Sequence, residues 1–577
     1  MALSAYSGIL GKKNAAHLLR RAAMVCSVAD IDAFSQLSAM EAVGRLLEHD
    51  ILPPSPPVDP AAGQIWIDLP ATDNEDDLRL QEFFKRWWLG LLHGAGIAEN
   101  DPKKLAFLTR ERMVFFLHTH FTAIQEVINC SRALYFQNVL FRAFAGPVAD
   151  HDLSFRELTK KICLDNAMLL LLDGELNVKG RPNENFAREL LELYTIGKGL
   201  PGRIPPSDEA GDYGYFTEQD VQAAARIFSG YDYDRAFQNI DPDTGLPRVK
   251  PRLNGAGIAT WHDNTEKRFS FRLGGAALRP DSALLLNGEP TEASMHDEIS
   301  QFIDLLFDQE ETVRNICRKI YRFYVYHHIS EEIESTIITD MATLFREHNF
   351  ELTPLIRALL SSAHFYDVTN NSLTDGPYGA LIKSPLDLSI GAFSFFNYRF
   401  PDPYSETILF YDAMGNILSS AREQGLNFLN PYDVAGYEAY FQFPLFNRNW
   451  ISANSLIYRY KFIADLVGEN KGKPIDLLDF IKRYFDREAS DPESLVKHIL
   501  SYCFAMSEEG EEITSERINY FVSRFLRLGT GLPQGADVFW NYSYTNAEEN
   551  PDSGEDANGM ARDLFNTIMQ SPEFQLF

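Results

Sequence analysis

The sequence predicts a mainly α-helical protein, with a large and compact multi-helix fold, irregular loop insertions and at most a few short β-strands. The 577 residues are 45% hydrophobic and include 42 Phe and 25 Tyr, which is ample for a large core. Apolar residues recur at helical spacing along most of the chain, between polar helix-start and glycine helix-stop signals. One short run, 269–273, alternates as a strand does. We therefore predict a single helical unit over residues 1–577.

Charge and hydropathy exclude several functional classes. The formal net charge is −28 and the isoelectric point is about 4.9. The electrostatic field of so negative a protein repels nucleic acid, so we expect no nucleic-acid binding. No apolar run approaches the ~18 residues of a membrane span, which predicts no membrane insertion. The sequence shows no apolar signal-peptide segment either, so we expect a cytoplasmic protein by default, with export alongside a partner left open.

The cysteines indicate neither a disulfide framework nor a thiolate zinc site. They are odd in number, widely spaced and contain no Cys-x-x-Cys pair. We expect reduced, mostly buried thiols at all five positions: Cys26, Cys130, Cys163, Cys317 and Cys503.

Helical patterns begin at residue 5 and are interrupted by a connector. Residues 51–63 hold five prolines and predict an extended segment. A helix over 104–121 follows, in which Glu111 and His118 share a face. His120 points away from His118 in a continuous helix, so the two can join one site only if the helix ends near Thr119.

The helix predicted from Asn183 to Gly197 or Gly199 has the most informative pattern. Asn183 can cap its start and either glycine can end it. Four polar residues fall within roughly 100° of arc, at positions i, i+3, i+4 and i+7: Asn185, Arg188, Glu189 and Glu192. Apolar residues cover most of the remainder, which predicts a buried helix with one polar stripe. That stripe fits either a ligand or catalytic cleft or a buried Arg–Glu network.

A clear helix-start signal comes next and is followed by the longest irregular region of the chain. Thr217-Glu218-Gln219-Asp220 is a capping box that opens a helix. Residues 231–295 are rich in turn residues, and we expect an irregular insertion near the site. Polar residues are grouped at 261–267 in this loop. Packing explains polar residues on a loop less easily than polar residues on a helix, so these residues are candidates for the site.

Two further expectations concern the C-terminal half. Pro385 follows Ser384 and predicts a helix start at that point. Residues 546–558 are acidic and contain glycine, which predicts a mobile loop before the final helix.

Several of these stretches carry a family resemblance. Residues 183–193 read Asn-Glu-Asn-Phe-Ala-Arg-Glu-Leu-Leu-Glu-Leu, residues 111–121 contain Glu-Arg-Met and His-Thr-His-Phe, and residues 261–269 contain His-Asp and Lys-Arg-Phe. Taken in their order along the chain, over residues 15–577, these stretches resemble the large bacterial family of unknown function catalogued as DUF1800. Leu117 and Tyr437 stand where that family usually has Trp. The resemblance implies no particular reaction. Members of the family are often encoded beside sulfatase- or phosphatase-like proteins, so the resemblance implies that such a protein is a candidate partner.

The candidate site residues come from three separated segments, one around residues 111–120, one around 185–192 and one around 261–267. If these segments converge, they form one site that holds histidines, carboxylates and an arginine. The predicted catalytic residues are His120, Arg188, Glu189, His262 and Asp263. The predicted ligand-binding residues are Asn185, Glu192, Lys267 and Trp261.

Two mechanisms fit these residue types. His and carboxylate side chains can bind a divalent metal between helices, although Glu189 and Glu192 lack the Glu-x-x-His pattern of di-iron bundles. Alternatively, a His–Asp pair performs acid–base catalysis while Arg188 holds an anionic or polyol group. The chain has no Gly-x-Ser-x-Gly elbow, P-loop or dinucleotide fingerprint, which disfavours serine hydrolases and nucleotide enzymes.

Three functions therefore stay open at the level of sequence. The first is a hydrolase- or lyase-like enzyme acting on a polar substrate, a glycan or an anionic group. The second is a ligand-binding or accessory protein that works with the sulfatase- or phosphatase-like partner, through an aromatic groove around Trp87, Trp261 or Trp450. The third is a structural protein whose motif residues form a dry, fully paired network.

Overall fold

The computed structural model describes residues 3–25, 27–48, 51–67, 73–146, 154–207, 209–366, 381–468, 475–504, 513–527 and 535–577. Of the chain, 57% is helical and 6% is strand, and the strands form only two-stranded ribbons. These fractions confirm the mainly α-helical prediction.

The N-terminal part packs several helices around one buried helix, α5. Its elements are α1 (Gly11–Ala23), α2 (Val28–Ser35), α3 (Ala39–Leu46), β1 (Val58–Asp59), β2 (Gln64–Ile65), α4 (Asn74–Leu92), α5 (Lys104–His120), α6 (Gln125–Ile128) and α7 (Ser131–Phe144). The proline-rich segment has no regular structure over 51–57, pairs in the β1–β2 ribbon at Val58–Asp59, and turns over residues 60–63. Arg142 of α7 holds Glu111 of α5 in a buried two-pronged ion pair, at 2.6 and 2.8 Å. α5 therefore presents a fixed face to the helices that follow.

The middle part holds the irregular region. Its elements are α8 (Phe155–Ile162), α9 (Asn166–Leu171), α10 (Asn185–Glu189), a π-helix (Leu190–Tyr194), α11 (Glu218–Ile227), β3 (Tyr231–Asp232), β4 (Lys250–Pro251), β5 (Lys267–Arg268), β6 (Ala277–Leu278) and α12 (Glu292–Asp308). Two short ribbons and single 3₁₀ turns are the only regular structure that the described chain shows between α11 and α12. The strand expected at 269–273 is wrong, because Ser270 caps a 3₁₀ turn over Phe271–Leu273 and its hydroxyl is held by buried Asp220.

The C-terminal part is again helical. Its elements are α13 (Glu310–Tyr324), α14 (Glu331–Ile333), a π-helix (Glu334–Ile338), α15 (Thr339–Glu347), α16 (Leu352–Leu360), α17 (Pro385–Phe395), α18 (Thr407–Glu423), α19 (Glu438–Phe441), a 3₁₀ turn (Phe446–Trp450), α20 (Ala453–Val467), α21 (Leu477–Phe485), α22 (Pro492–Cys503), α23 (Ser515–Phe525), α24 (Ala536–Thr545) and α25 (Pro551–Gln570). Distant parts of the chain meet: Arg20 of α1 donates to the carbonyls at the end of α22.

The mobile loop expected over 546–558 is a wrong prediction. Helix α25 begins at Pro551, directly after its N-cap Asn550, whose side chain accepts from the backbone N–H of Asp552. Ala557 of this stretch and Met560, two residues after it, are buried against the core. The acidic residues occupy the outer face of the helix, so composition suggested a loop where the cap and the apolar spacing specify a helix.

The described cysteines Cys130, Cys163, Cys317 and Cys503 are free thiols, and Cys26 lies outside the described residues. No helix in the described ranges is both long and apolar enough to span a membrane.

Candidate functional site

The central helix of the sequence analysis ends in a π-helix that exposes its carbonyls to other helices. The N-cap is Glu184 and not the expected Asn183, whose side chain accepts from the N–H of Asn185 at 3.0 Å in the turn before the helix. Gly197, with φ +77°, follows the end of the helix. The last five residues, Leu190–Tyr194, widen into π geometry, which differs from the regular helix expected there. Such π-turns are rare and occur frequently at functional sites.

Three side chains from α5 and α13 converge on this widened end. The carbonyls of Leu193, Tyr194 and Thr195 accept, respectively, from Lys319 Nζ (2.7 Å), His120 Nε2 (3.0 Å) and Asn315 Nδ2 (2.7 Å). Because His120 donates through Nε2, its Nδ1 is the unprotonated nitrogen of the neutral ring. Burial first, and the neighbouring Lys319 second, hold the pKa of His120 well below its usual range.

The polar stripe of the same helix lies elsewhere, at the half-exposed surface. Arg188 donates to Glu218 (2.8 and 3.1 Å) and to Glu184 (3.1 Å). Glu192 pairs with the exposed Lys198 at 2.5 Å, and Asn185 donates to the carbonyl of Leu172. The structure therefore corrects the expected buried stripe to a surface ion-pair cluster.

Glu189 is the residue of this stripe whose carboxyl pKa is raised. Burial, followed by the nearby carboxylates of Glu192 and Asp433, raises its pKa to about 7. Asp433 belongs to the loop that leads into α19, so the stripe and that loop meet at this carboxylate.

His262 and Lys267 form a dry ionic triad with Glu298 of α12. Glu298 Oε2 lies 2.7 Å from His262 Nε2, and both its oxygens lie 2.5 Å from Lys267 Nζ. His262 Nδ1 lies 2.9 Å from the carbonyl oxygen of Ser229. All three side chains are at most 1% exposed. This is the paired network that the sequence analysis left open as an alternative.

The other two residues of this segment lie outside the triad. Asp263 accepts from Arg226 at 2.9 Å and from Thr265, and these bonds hold its pKa below the usual range although burial opposes them. Trp261 is 51% exposed and stacks under Arg252.

The predicted residues are thus distributed over three places. In the described chain, no hydrogen bond, ion pair or ring contact joins His120 to His262, Asp263 or Arg188. The condition for His118 and His120 to share a site is not met, because α5 stays helical through His120 and turns that ring away from His118, which faces Tyr437. The individual catalytic and ligand-binding roles stay predictions. Among the described residues, no group of three or more His, Cys, Asp or Glu side chains is placed to hold a metal ion.

His120 does line a cleft, at the point where α5, α13 and the segment 435–450 meet. The cleft encloses about 680 Å³ including its open mouth, and about 50 Å³ of this is available to the centres of water molecules. Its lining residues are Arg112, Phe116, Thr119, His120, Lys319, Arg322, Phe323, His327, Leu381, Ile382, Asp387, Ala435, Ala439, Tyr440, Phe441, Phe446, Asn447, Trp450 and Phe577.

Two half-buried cations of α13 face this cleft, and neither has a carboxylate partner among the described residues. Lys319 and Arg322 are three residues apart and so share a helix face. In the described part of the chain, neither forms an ion pair with a carboxylate; Lys319 donates to Leu193 O, and Arg322 packs its guanidinium on the ring of Phe446 at 4.8 Å. Burial, with Arg322 next in importance, lowers the pKa of Lys319 to about 7, and burial lowers that of Arg322 to about 10.

The inner end of the cleft adds further positive charge. Asp387 is the single acidic side chain among the lining residues, and it accepts from buried Arg112 at 2.6 Å. Arg21 and Arg459, both at most 1% exposed, are close enough to Asp387 to sense its charge. Several cations therefore lie near Asp387, in a protein whose overall charge is −28.

Unpartnered polar atoms mark the same cleft. His120 Nδ1, His327 Nδ1 and both amide atoms of Asn447 are buried and have no hydrogen-bond partner among the described residues. These residues are 2%, 8% and 7% exposed. Buried polar atoms in native proteins are nearly always hydrogen-bonded, so three such side chains around one cleft indicate a binding site.

Sequence reasoning missed Lys319, Asn447 and the role of Arg322. A signal was present in α13, which carries Arg314, Arg318, Lys319 and Arg322 within three turns. Arg314 and Arg318 have buried glutamate partners, whereas the other two do not. Only the packing of the helix shows which cations are paired.

Comparisons with known proteins bear on the family alone. No curated protein and no solved structure matches this chain. The model of the family described as "Protein of unknown function (DUF1800)" matches residues 17–576, nearly the whole chain, and so confirms the resemblance seen in the motifs. The chain therefore belongs to the DUF1800 family of proteins of unknown function.

Proposed function

We propose that this chain binds the anionic group of a small molecule in the cleft between α5, α13 and the segment 435–450. One observation carries the proposal: Lys319 and Arg322 face the cleft as cations without a carboxylate partner in the described chain. Buried charges in proteins are normally paired, because removing an ion from water costs several kcal/mol. An oxyanion supplies the missing counter-charge.

The polar atoms of the cleft fit the oxygens of such a group. The Nζ of Lys319 uses one of its three N–H donors on Leu193 O and keeps two. The amide of Asn447 offers two more donors. Charge-assisted hydrogen bonds of this kind contribute about 1.5–3 kcal/mol each.

The space limits how much of the ligand enters. About 50 Å³ for water centres corresponds to only a few water molecules. A carboxylate, phosphate or sulfate group is of that size. The proposal thus supports the anionic option among the substrates considered from sequence, while the glycan, the hydrolase- or lyase-like reaction and the sulfatase- or phosphatase-like partner stay predictions.

Sulfate titration tests the proposal, since sulfate keeps its charge from pH 6 to pH 8. In calorimetry at pH 6 we expect Lys319→Met and Arg322→Met each to weaken binding about 10- to 100-fold, the loss of one charge-assisted contact. Wild-type affinity should fall from pH 6 to pH 8 as Lys319 loses its proton near pH 7, and Lys319→Arg should remove that fall. Lys198→Met removes an equal charge from a 73% exposed position and serves as the control. Equal sulfate affinity in all variants would refute the anion site.

A second candidate function, acid–base or nucleophilic catalysis by Lys319, rests on its pKa of about 7. An amine with this pKa is partly neutral at neutral pH and can accept a proton or attack a carbonyl group. This favours an enzyme over a binding or accessory protein.

The pKa of Lys319 can be measured without a substrate. We expect its modification by acetic anhydride, followed by mass spectrometry, to rise with pH around a midpoint near 7, with sulfate slowing the reaction. Exposed Lys198 provides the internal reference for the reactivity of an accessible lysine. A midpoint of Lys319 near the usual lysine value of about 10.4 would remove the catalytic candidate and leave anion binding intact.

A further inference from the structure

We infer that the natural ligand is an amphiphilic anion, in which the oxyanion held in the cleft is joined to an apolar, aryl or alkyl body that lies on the rim outside. This inference rests on the proposed anion site and adds the chemical class of the molecule attached to the anion.

The walls around the cations are aromatic. The guanidinium of Arg112 lies over the ring of Phe323 at 4.3 Å, and that of Arg322 lies over Phe446 at 4.8 Å. Tyr440 and Trp450 line the same cleft, with ring centroids 6.1 Å apart. The oxyanion site therefore has apolar walls, and a ligand with an apolar part can continue that apolar surface at the mouth of the cleft.

Large apolar side chains continue from these walls to the exterior. Phe443 is 63% exposed, and its ring lies 6.2 Å from the ring of cleft-lining Phe446. Leu445 is 46% exposed and directly precedes the lining residue Phe446. Single exposed apolar residues are ordinary, but apolar residues next to a cleft add surface that a ligand can cover. We call Phe443 and Leu445 the rim.

The dimensions of the cleft place the apolar body on this rim. Space for a few water molecules admits the oxyanion and excludes a ring or chain behind it. Arg322 and Phe446 are in contact, so the charged interior and the apolar exterior are continuous through one residue pair. An anion with its apolar body directed outward matches both the charged interior of the cleft and the apolar surface outside it.

Other occupants of the rim fit the charge less well. An anionic membrane surface and a second copy of this chain would both approach a protein of net charge −28, and repulsion opposes each. A small amphiphilic anion carries one or two charges, which the cleft cations offset.

The test compares methyl sulfate with phenyl sulfate and hexyl sulfate by calorimetry. On wild-type protein we expect phenyl sulfate or hexyl sulfate to bind about 10- to 30-fold more tightly than methyl sulfate, from the apolar area covered on the rim. Phe443→Ser should reduce that ratio several-fold. Val538→Ser, at a 66% exposed position of α24, is the matched control and should leave the ratio unchanged.

The outcomes separate this inference from the proposal on which it rests. Equal affinities for all three sulfates on wild-type protein would overturn the amphiphile and retain the anion site. No binding of any sulfate would overturn both. A wild-type dimer that Phe443→Ser dissociates, or wild-type binding to anionic vesicles that Phe443→Ser abolishes, would assign the rim to a different occupant and also overturn the inference.

Discussion

Replacing Glu298 with glutamine is expected to lower the free energy of unfolding by about 3–5 kcal/mol, the usual cost of leaving a buried ion without its partner. Glu298 is fully buried and is the carboxylate shared by Lys267 and His262. The glutamine amide fills the same space but carries no charge, so the ammonium group of Lys267 would remain buried without a counter-ion.

Urea denaturation of the purified variants measures this effect. Glu292→Gln on the same helix is the control, because Glu292 is 34% exposed and its pairing with Arg248 should contribute less than about 1 kcal/mol. A Glu298→Gln protein as stable as wild type, with sulfate binding lost, would contradict the structural role of the triad and reassign it to the ligand site.

The substitution Asp387→Asn is expected to be comparably costly, at about 3–5 kcal/mol. Asp387 is the counter-ion of buried Arg112 and lies near Arg21 and Arg459. Its second oxygen accepts from Ser384 at the start of α17, and the asparagine oxygen can keep that cap. The expected loss of unfolding free energy therefore comes from the missing charge and not from a missing helix cap.

Sulfate should partly restore the stability of the Asp387→Asn variant. An added anion that binds only the folded state stabilises it by RT ln(1 + [L]/Kd), and it supplies the charge that the substitution removes. Thermal unfolding with and without sulfate checks this, with Asp465→Asn, an exposed member of an i,i+4 pair, as the control. A larger rise in the midpoint for Asp387→Asn than for wild type is expected; an equal rise would show that the sulfate site and Asp387 are independent.

Local patterns in the sequence specified much of the helical framework. The capping box at Thr217 and Asp220 and the proline at the start of α17 are present as predicted, because a cap depends on residues only three positions apart. At 546–558 the same kind of signal, Asn550 before Pro551, outweighed an acidic composition. Short-range hydrogen bonding and helical periodicity are properties of the chain itself, and so is the family motif order.

The site depended on contacts that no local pattern encodes. His262 and Glu298 are 36 residues apart, and Lys319 meets the carbonyl of Leu193 across 126 residues. The sequence by itself determined the mainly helical fold class, the family and the residue types available for chemistry. Tertiary packing decided which charges are neutralised: it paired His262 and Lys267 with Glu298 and left Lys319 and Arg322 facing a cleft. The physical reason is that burial and ion pairing depend on which distant helices meet, whereas helix formation depends on neighbours along the chain.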